Sequence, residues 1–258
     1  MMLIMSITFF FIAIILSMFG KGGGEFYLPI LLSFGLPYQK AATMTLFILM
    51  TSGITMTIVF RKKALIDMTT GIFIILFSAS GAFLGGLVSA DINPAYLKLT
   101  FAVLLLISAY FISKPPKKEG LFQLGWMWKR TCCGETYSIP VFLVFPLIFL
   151  IGFVAGMVGI SGGGLVVPVL LLIGNVPLRI AFATNSLLVL FSSALGFSGH
   201  IIRTSIDWTS TLILAGIIVL GAIIGANLSS KINLKHLKKI FVYVLIIAAI
   251  FMIFKIFH

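Results

Sequence analysis

This sequence is short of charge. Charged residues make up 9% of its 258 positions, and only 6 residues are Asp or Glu. A soluble domain carries about 25% charged and about 45–50% apolar residues. Here the hydrophobic share is 60% and the mean hydropathy is +1.22. So little polar surface excludes a cytosolic globular enzyme. Cysteine is scarce too. The 2 present, Cys132 and Cys133, are adjacent, and neighbouring cysteines bridge poorly, so neither a disulfide framework nor a metal cluster is expected. The 3 histidines form no H-E-x-x-H pattern, and Gly20-Lys21 lacks the following Ser/Thr of a P-loop. No metal, no cofactor and no ATP hydrolysis are expected.

Long apolar runs are abundant. They cover about 3–19, 26–36, 42–60, 68–90 and 95–113, then, after a polar stretch, about 139–158, 165–175, 183–200, 209–228 and 237–257. The longer runs match the roughly 20 residues that a helix needs to cross a bilayer core. The sequence therefore predicts an all-α polytopic membrane protein. The net charge of +12 would suggest nucleic acid in a soluble chain. The basic residues cluster instead in loops 61–63 and 114–130, the pattern of cytoplasmic loops facing anionic lipid. The expected partners are the lipid bilayer and a small solute, with no nucleic acid; a homo-oligomer is compatible with the sequence. Met1 to Phe19 resembles a signal peptide in hydropathy but lacks a basic start and a cleavage site, and is read as a mature membrane segment.

The order of long and short runs occurs twice. Gly20, Gly23, Gly24 and Pro29 recur 139 residues later as Gly159, Gly162, Gly163 and Pro168, and Thr43 recurs as Thr184 after 141. Asp67, Gly81, Ala82, Gly85, Asn93, Lys98 and Phe101 recur after 140 as Asp207, Gly221, Ala222, Gly225, Asn233, Lys238 and Phe241. Such agreement indicates an internal duplication, with repeats 1–113 and 139–258 joined by a basic linker, 114–138. Arg61, Lys62 and Lys63 place loop 61–66 inside, while its mate 201–206 carries only Arg203. Loop 91–97 is poor in Lys and Arg, whereas its mate holds Lys231 and Lys235. The bias swaps sides between halves, the mark of inverted-topology repeats in secondary transporters. In a cell membrane this puts the 114–138 loop in the cytoplasm and both termini outside.

The two short runs, of about eleven residues each, are about 16 Å long as helices, half a bilayer core. Each follows a glycine run, Gly20 to Gly24 or Gly159 to Gly164, and contains a proline. Helix N-termini carry unpartnered N–H groups and partial positive charge, and glycine lets a ligand approach them. Two such tips converging at mid-membrane would hold a small anion without Lys or Arg. One run alone would be read as close helix packing; the matched pair favours a site.

The pattern G-x-G/S-G-G followed by proline, then an Ala-Thr pair, then a turn ending in Asp, resembles the TauE/SafE sulfite exporter family. It is carried here by Gly20 to Pro29, Ala42-Thr43-Met44-Thr45 and Arg61 to Asp67, and again by Gly159 to Pro168, Ala183-Thr184-Asn185-Ser186 and His200 to Trp208. The resemblance covers all but 114–138. It implies a permease for sulfite or related sulfur-containing organic anions, usually exporting. The chain departs from the family pattern at Lys21 and Glu25, where apolar residues are usual. Charge at that depth is costly unless paired or hydrated, hence a functional candidate. Lys21 is read as adding charge to the anion site and Glu25 as carrying a coupled proton; the alternatives are a structural ion pair one turn apart, or a segment solvated at the membrane surface.

The candidate substrate-binding residues are Lys21, Gly22, Gly23, Gly24, Thr43, Thr45, Ser161, Gly162, Gly163, Gly164, Thr184, Asn185 and Ser186. Hydroxyls and amides donate to oxyanions and also cap helices; capping is the stronger reading for Thr43 and Thr184, binding for Asn185, since a buried amide needs a partner. Glu25 and His200 are the proton-coupling candidates, with an ordinary interfacial role the alternative for His200. Asp67 and Asp207 read as N-caps, Trp126, Trp128 and Trp208 as interfacial anchors, and Gly81/Gly85 and Gly221/Gly225 as close helix crossings. The expected function is secondary transport of a small sulfur-containing anion such as sulfite, thiosulfate or an organosulfonate, in the export direction, by alternating access. An anion channel, or a membrane-embedded redox enzyme using Cys132 and Cys133, is the alternative.

Overall fold

The computed structural model describes residues 2–113 and 126–233, with scattered positions between 236 and 250. Nine helices and one hairpin are described: α1 Met2–Ser17, α2 Gly24–Ser33, α3 Tyr38–Lys62, α4 Met68–Val88, α5 Pro94–Ser113, β1 Met127–Cys132, β2 Glu135–Pro140, α6 Val141–Val158, α7 Gly163–Leu172, α8 Leu178–Ile201 and α9 Trp208–Ser229. The last apolar run, 237–257, lies largely outside the described residues. Among the described residues, five helices are long and apolar enough to cross a bilayer: α3, α4 with its 3-10 extension to Asp91, α6, α8 and α9. Many large apolar side chains on them are exposed, among them Ile58, Ile72, Leu150 and Leu220, as a lipid-facing surface requires.

Helix boundaries follow local chemistry. Pro37 and Pro177 stand just before α3 and α8, where a proline's fixed φ and missing N–H do no harm. This corrects the capping assignment for Thr43 and Thr184, which lie in the second turn. The Thr43 hydroxyl instead donates to the Gln39 carbonyl at 2.7 Å. The aspartate caps are as expected: Asp67 accepts from the Thr70 amide at 3.0 Å and Asp207 from the Thr209 amide at 3.1 Å.

The halves interleave. Helix α1 packs on α9, and α6 on α4. The paired glycines make both crossings close. A methyl added at Gly85 would lie 2.7 Å from the Met157 amide nitrogen and would collide with the Phe153 carbonyl; one at Gly221 would lie 2.7 Å from the Phe10 carbonyl oxygen. These are backbone-to-backbone contacts of the kind small residues permit in membranes. Helices α3 and α8 occupy the centre, packing against each other and against α9 and α4 respectively.

The stretch 126–140 is not a plain linker. Strands β1 and β2 pair antiparallel from Met127 opposite Pro140 to Cys132 opposite Glu135. Cys133 and Gly134 form the two-residue turn with φ of 56 and 81, the left-handed pair of a type I′ hairpin.

Candidate functional site

Helices α2 and α7 are the expected half-helices, 10 residues each, about 15 Å long. Their N-caps, Gly23 and Gly162, have φ of 107 and 72, a region that side-chain-bearing residues rarely enter. The first amides bonded to these caps are Phe26 and Leu165, at 3.0 Å each. The amides just before them belong to the turn that a helix leaves outside its own ladder.

The two runs come together around Asn185 of α8. Its Nδ2 donates to the Gly20 carbonyl at 2.9 Å. A methyl on Gly163 would lie 2.7 Å from that same nitrogen, and one on Gly24 would lie 3.5 Å from Cγ2 of Ile160. The side chain is 1% exposed, and its Oδ1 has no hydrogen-bond partner among the described residues. Thr45 Oγ1, on α3, is likewise buried without a partner among the described residues. Unsatisfied buried polar atoms cost about 1–3 kcal/mol each; the Thr45 hydroxyl can donate to a solute oxygen, whereas Asn185 Oδ1 can only accept, so donation to an anion comes from Nδ2.

The other candidate residues differ in their surroundings. Gly22, Gly23, Gly24, Ser161, Gly162, Gly163 and Gly164 are all buried. Lys21 is 1% exposed, which overturns its placement at a solvated surface. The side chain of Glu25, and with it the proposed Lys21–Glu25 pair, lies outside the described residues. Thr184 Oγ1 accepts from the Asp67 amide at 3.2 Å. Ser186 donates to the Ala183 carbonyl at 2.6 Å and accepts from Thr57 at 3.3 Å. Both hydroxyls therefore have structural partners. His200 stands apart from the centre, its Nε2 2.8 Å from the Gly156 carbonyl and its Nδ1 3.3 Å from Ser89 Oγ. A carbonyl only accepts, so Nε2 carries a proton. Ser89 Oγ in turn donates to Gln39 Oε1 at 2.9 Å. At 2% exposure, this histidine is not an open interfacial one.

Two features were not evident from the sequence. Ser52 borders the first run: a methyl on Gly22 would lie 2.5 Å from its Oγ. The second is a latch at the basic end. Arg130 of β1 donates to Asp67 from Nη2 at 3.0 Å, and the Tyr137 hydroxyl of β2 donates to the same carboxylate. Burial pushes the Asp67 pKa up, but bonds from Arg130, Tyr137 and Thr70 outweigh it and hold the carboxyl below its usual range. Burial first, then the bond to Asp67, raises Tyr137, so it stays a neutral donor. Cys132 is pushed up to about 12, mainly by burial, and both thiols are free. Among the described residues, no three His, Cys, Asp or Glu side chains come together to hold a metal.

A family model described as "Sulfite exporter TauE/SafE" matches residues 5–252. The chain is similar to the probable membrane transporter protein YunE of Bacillus subtilis (strain 168), with 27% identity over 91% of this chain and 89% of that one. It is also similar to the probable membrane transporter protein MJ0441 of Methanocaldococcus jannaschii, with 26% identity over 95% and 92% respectively. No solved structure matches.

Proposed function

Because the chain belongs to the TauE/SafE sulfite exporter family and is a multi-pass membrane transporter rather than an enzyme, we propose that it carries a small sulfur-containing anion such as sulfite, thiosulfate or an organosulfonate out of the cell. The anion is held between the two glycine tips, by amide groups of Gly22–Gly24 and Gly162–Gly164 and by Asn185, Thr45 and Ser161, with Lys21 adding positive charge. The observation that carries this reading is Asn185, which bonds Gly20 of one run while touching Gly163 of the other. Thr43, Thr184 and Ser186 line the helices that present these groups.

The mechanism is alternating access between two inverted repeats, 1–113 and 139–258, with the linker 114–138 in the cytoplasm and the termini outside. The support is pairwise: α1 on α9 and α6 on α4, with Gly225 meeting Ile14 as Gly85 meets Phe153, positions related by the 139- and 140-residue offsets of the sequence. A monovalent anion leaving a negative-inside cell gains about 2.3 kcal/mol per 100 mV, enough to drive export without ATP. Glu25 and His200 are the groups through which a proton would couple.

The test is flux of labelled sulfite, thiosulfate and sulfonate in proteoliposomes, with and without a pH step. Saturable flux with trans-stimulation is expected. Absence of flux for every sulfur anion overturns the substrate class, and flux without trans-stimulation overturns alternating access.

A further inference from the structure

A groove of about 590 Å³ lies between α3 and α9, and none of its lining residues belongs to the glycine runs. Ile58, Val59, Val219 and Ile223 form apolar walls, and Lys62 stands at one end. Ile58 and Ile223 are 51% and 41% exposed, so the groove opens to the surrounding lipid. From Thr55 to Lys62, α3 advances about 10 Å, long enough for a substantial part of an acyl chain.

The basic end is rigid and carries excess charge. Lys63 donates to the Ala226 carbonyl at 2.9 Å, the Asn227 carbonyl at 3.1 Å and Ser230 Oγ at 3.0 Å. An ammonium has three protons, so these acceptors occupy all of them and bind α3 to the carboxyl end of α9. Arg61, Lys62 and Lys231 beside it are exposed. Burial, and then the positive charge of Lys231, lower the pKa of Lys63. Asp67 is held by Arg130 and Asp91 by Arg203, and Asp207 caps the opposite end of α9.

We propose that this groove binds one anionic phospholipid, with an acyl chain along Ile58, Val59, Val219 and Ile223 and the headgroup phosphate on Lys62, in the field of Arg61 and Lys231. Only a ligand with both a hydrocarbon tail and a net negative head uses both halves of the groove. A free phosphate gains nothing from the apolar walls, and a zwitterionic lipid brings a cation toward a positive cluster.

The experiment is native mass spectrometry of the purified full-length chain titrated with phosphatidylglycerol or phosphatidylcholine. Phosphatidylglycerol is expected to bind the more tightly. Lys62→Gln is expected to weaken it about fivefold without changing phosphatidylcholine, whereas Lys62→Arg retains it. Val219→Trp, which fills the groove, weakens both lipids, and Lys129→Gln on the hairpin changes neither. Equal binding of the two lipids overturns the proposal. So does equal weakening by Lys129→Gln and Lys62→Gln, or displacement of phosphatidylglycerol by inorganic phosphate.

Discussion

Asn185 and Gly20 are joined by a hydrogen bond of 2.9 Å from the amide Nδ2 to the carbonyl oxygen. The bond crosses 165 residues of sequence and ties α8 to the first glycine run at a point where the second run is already in contact. Replacing Asn185 with leucine leaves the Gly20 carbonyl without this donor and removes the second Nδ2 proton, the one that would donate to an anion. The cost of about 1–3 kcal/mol corresponds to a fall in flux of about 5- to 150-fold. Proteoliposome flux measures it, and wild-type flux in Asn185→Leu would refute the assignment.

Gly163 has no room for a side chain, since a methyl there would sit 2.7 Å from Asn185 Nδ2. Gly163→Ala is expected to reduce transport strongly and Gly163→Leu to abolish it, with both proteins still inserted. Gly216 provides the control, because nothing lies within 4 Å of a methyl there. Gly216→Ala should transport normally; equal loss in the two alanine variants would show that the effect is not specific to the glycine site.

Lys21 is buried beside the glycines it follows and precedes. Lys21→Ala is expected to raise the KM for sulfite while leaving insertion unchanged. A KM equal to that of the parent chain would assign Lys21 a structural role instead.

The Asp67–Arg130 latch gives stability a defined pH dependence. The folded pKa of Asp67 lies below its ordinary value, so its contribution is complete above about pH 4 and is lost as pH falls through the lower folded value. Melting in detergent should be insensitive to this group from neutral pH to about 4 and then decline. Arg130→Ala should cost about 3 kcal/mol. It should also flatten the acid decline, because Asp67 then loses the largest of the bonds that lower its pKa. A melting profile unchanged by Arg130→Ala would show that the latch is not formed.

Cys132 and Cys133 stand at the hairpin turn, outside the glycine site. With Cys132 raised to about 12, its thiolate is scarce at neutral pH, and alkylation there should be slow. Complete alkylation under forcing conditions is expected to leave sulfite flux intact. Loss of flux would place the hairpin in the transport cycle.

Local chemistry made much of the fold legible. The apolar runs, the caps at Asp67 and Asp207 and the close crossings at Gly81/Gly85 and Gly221/Gly225 each depend on residues within a few turns of one another. The hairpin was less visible. Trp128, Arg130, Tyr137 and Ile139 occur in alternating patterns, but they lie in a polar stretch between membrane runs, and Cys133 is an unusual partner for glycine in a type I′ turn. Thr43 and Thr184 resemble caps only if Pro37 and Pro177 are overlooked. The partners of His200 lie 44 and 111 residues away, and no local pattern announces them. Likewise, the sequence marks Asn185 as a polar residue in an apolar helix, but only the packing of both runs against it identifies what it joins.

The glycine crossings also constrain how such a molecule changes shape. Where one backbone lies against the carbonyls of another, as at Gly85 with Phe153 and Gly225 with Ile14, neither helix can slide or rotate without collision. Helices α4 and α6 therefore travel as one strut, and α1 and α9 as another. On the alternating-access reading, opening toward one side of the bilayer is expected to come from tilting these struts about the bends at residues 20–23 and 159–162, where the chain leaves the helical conformation.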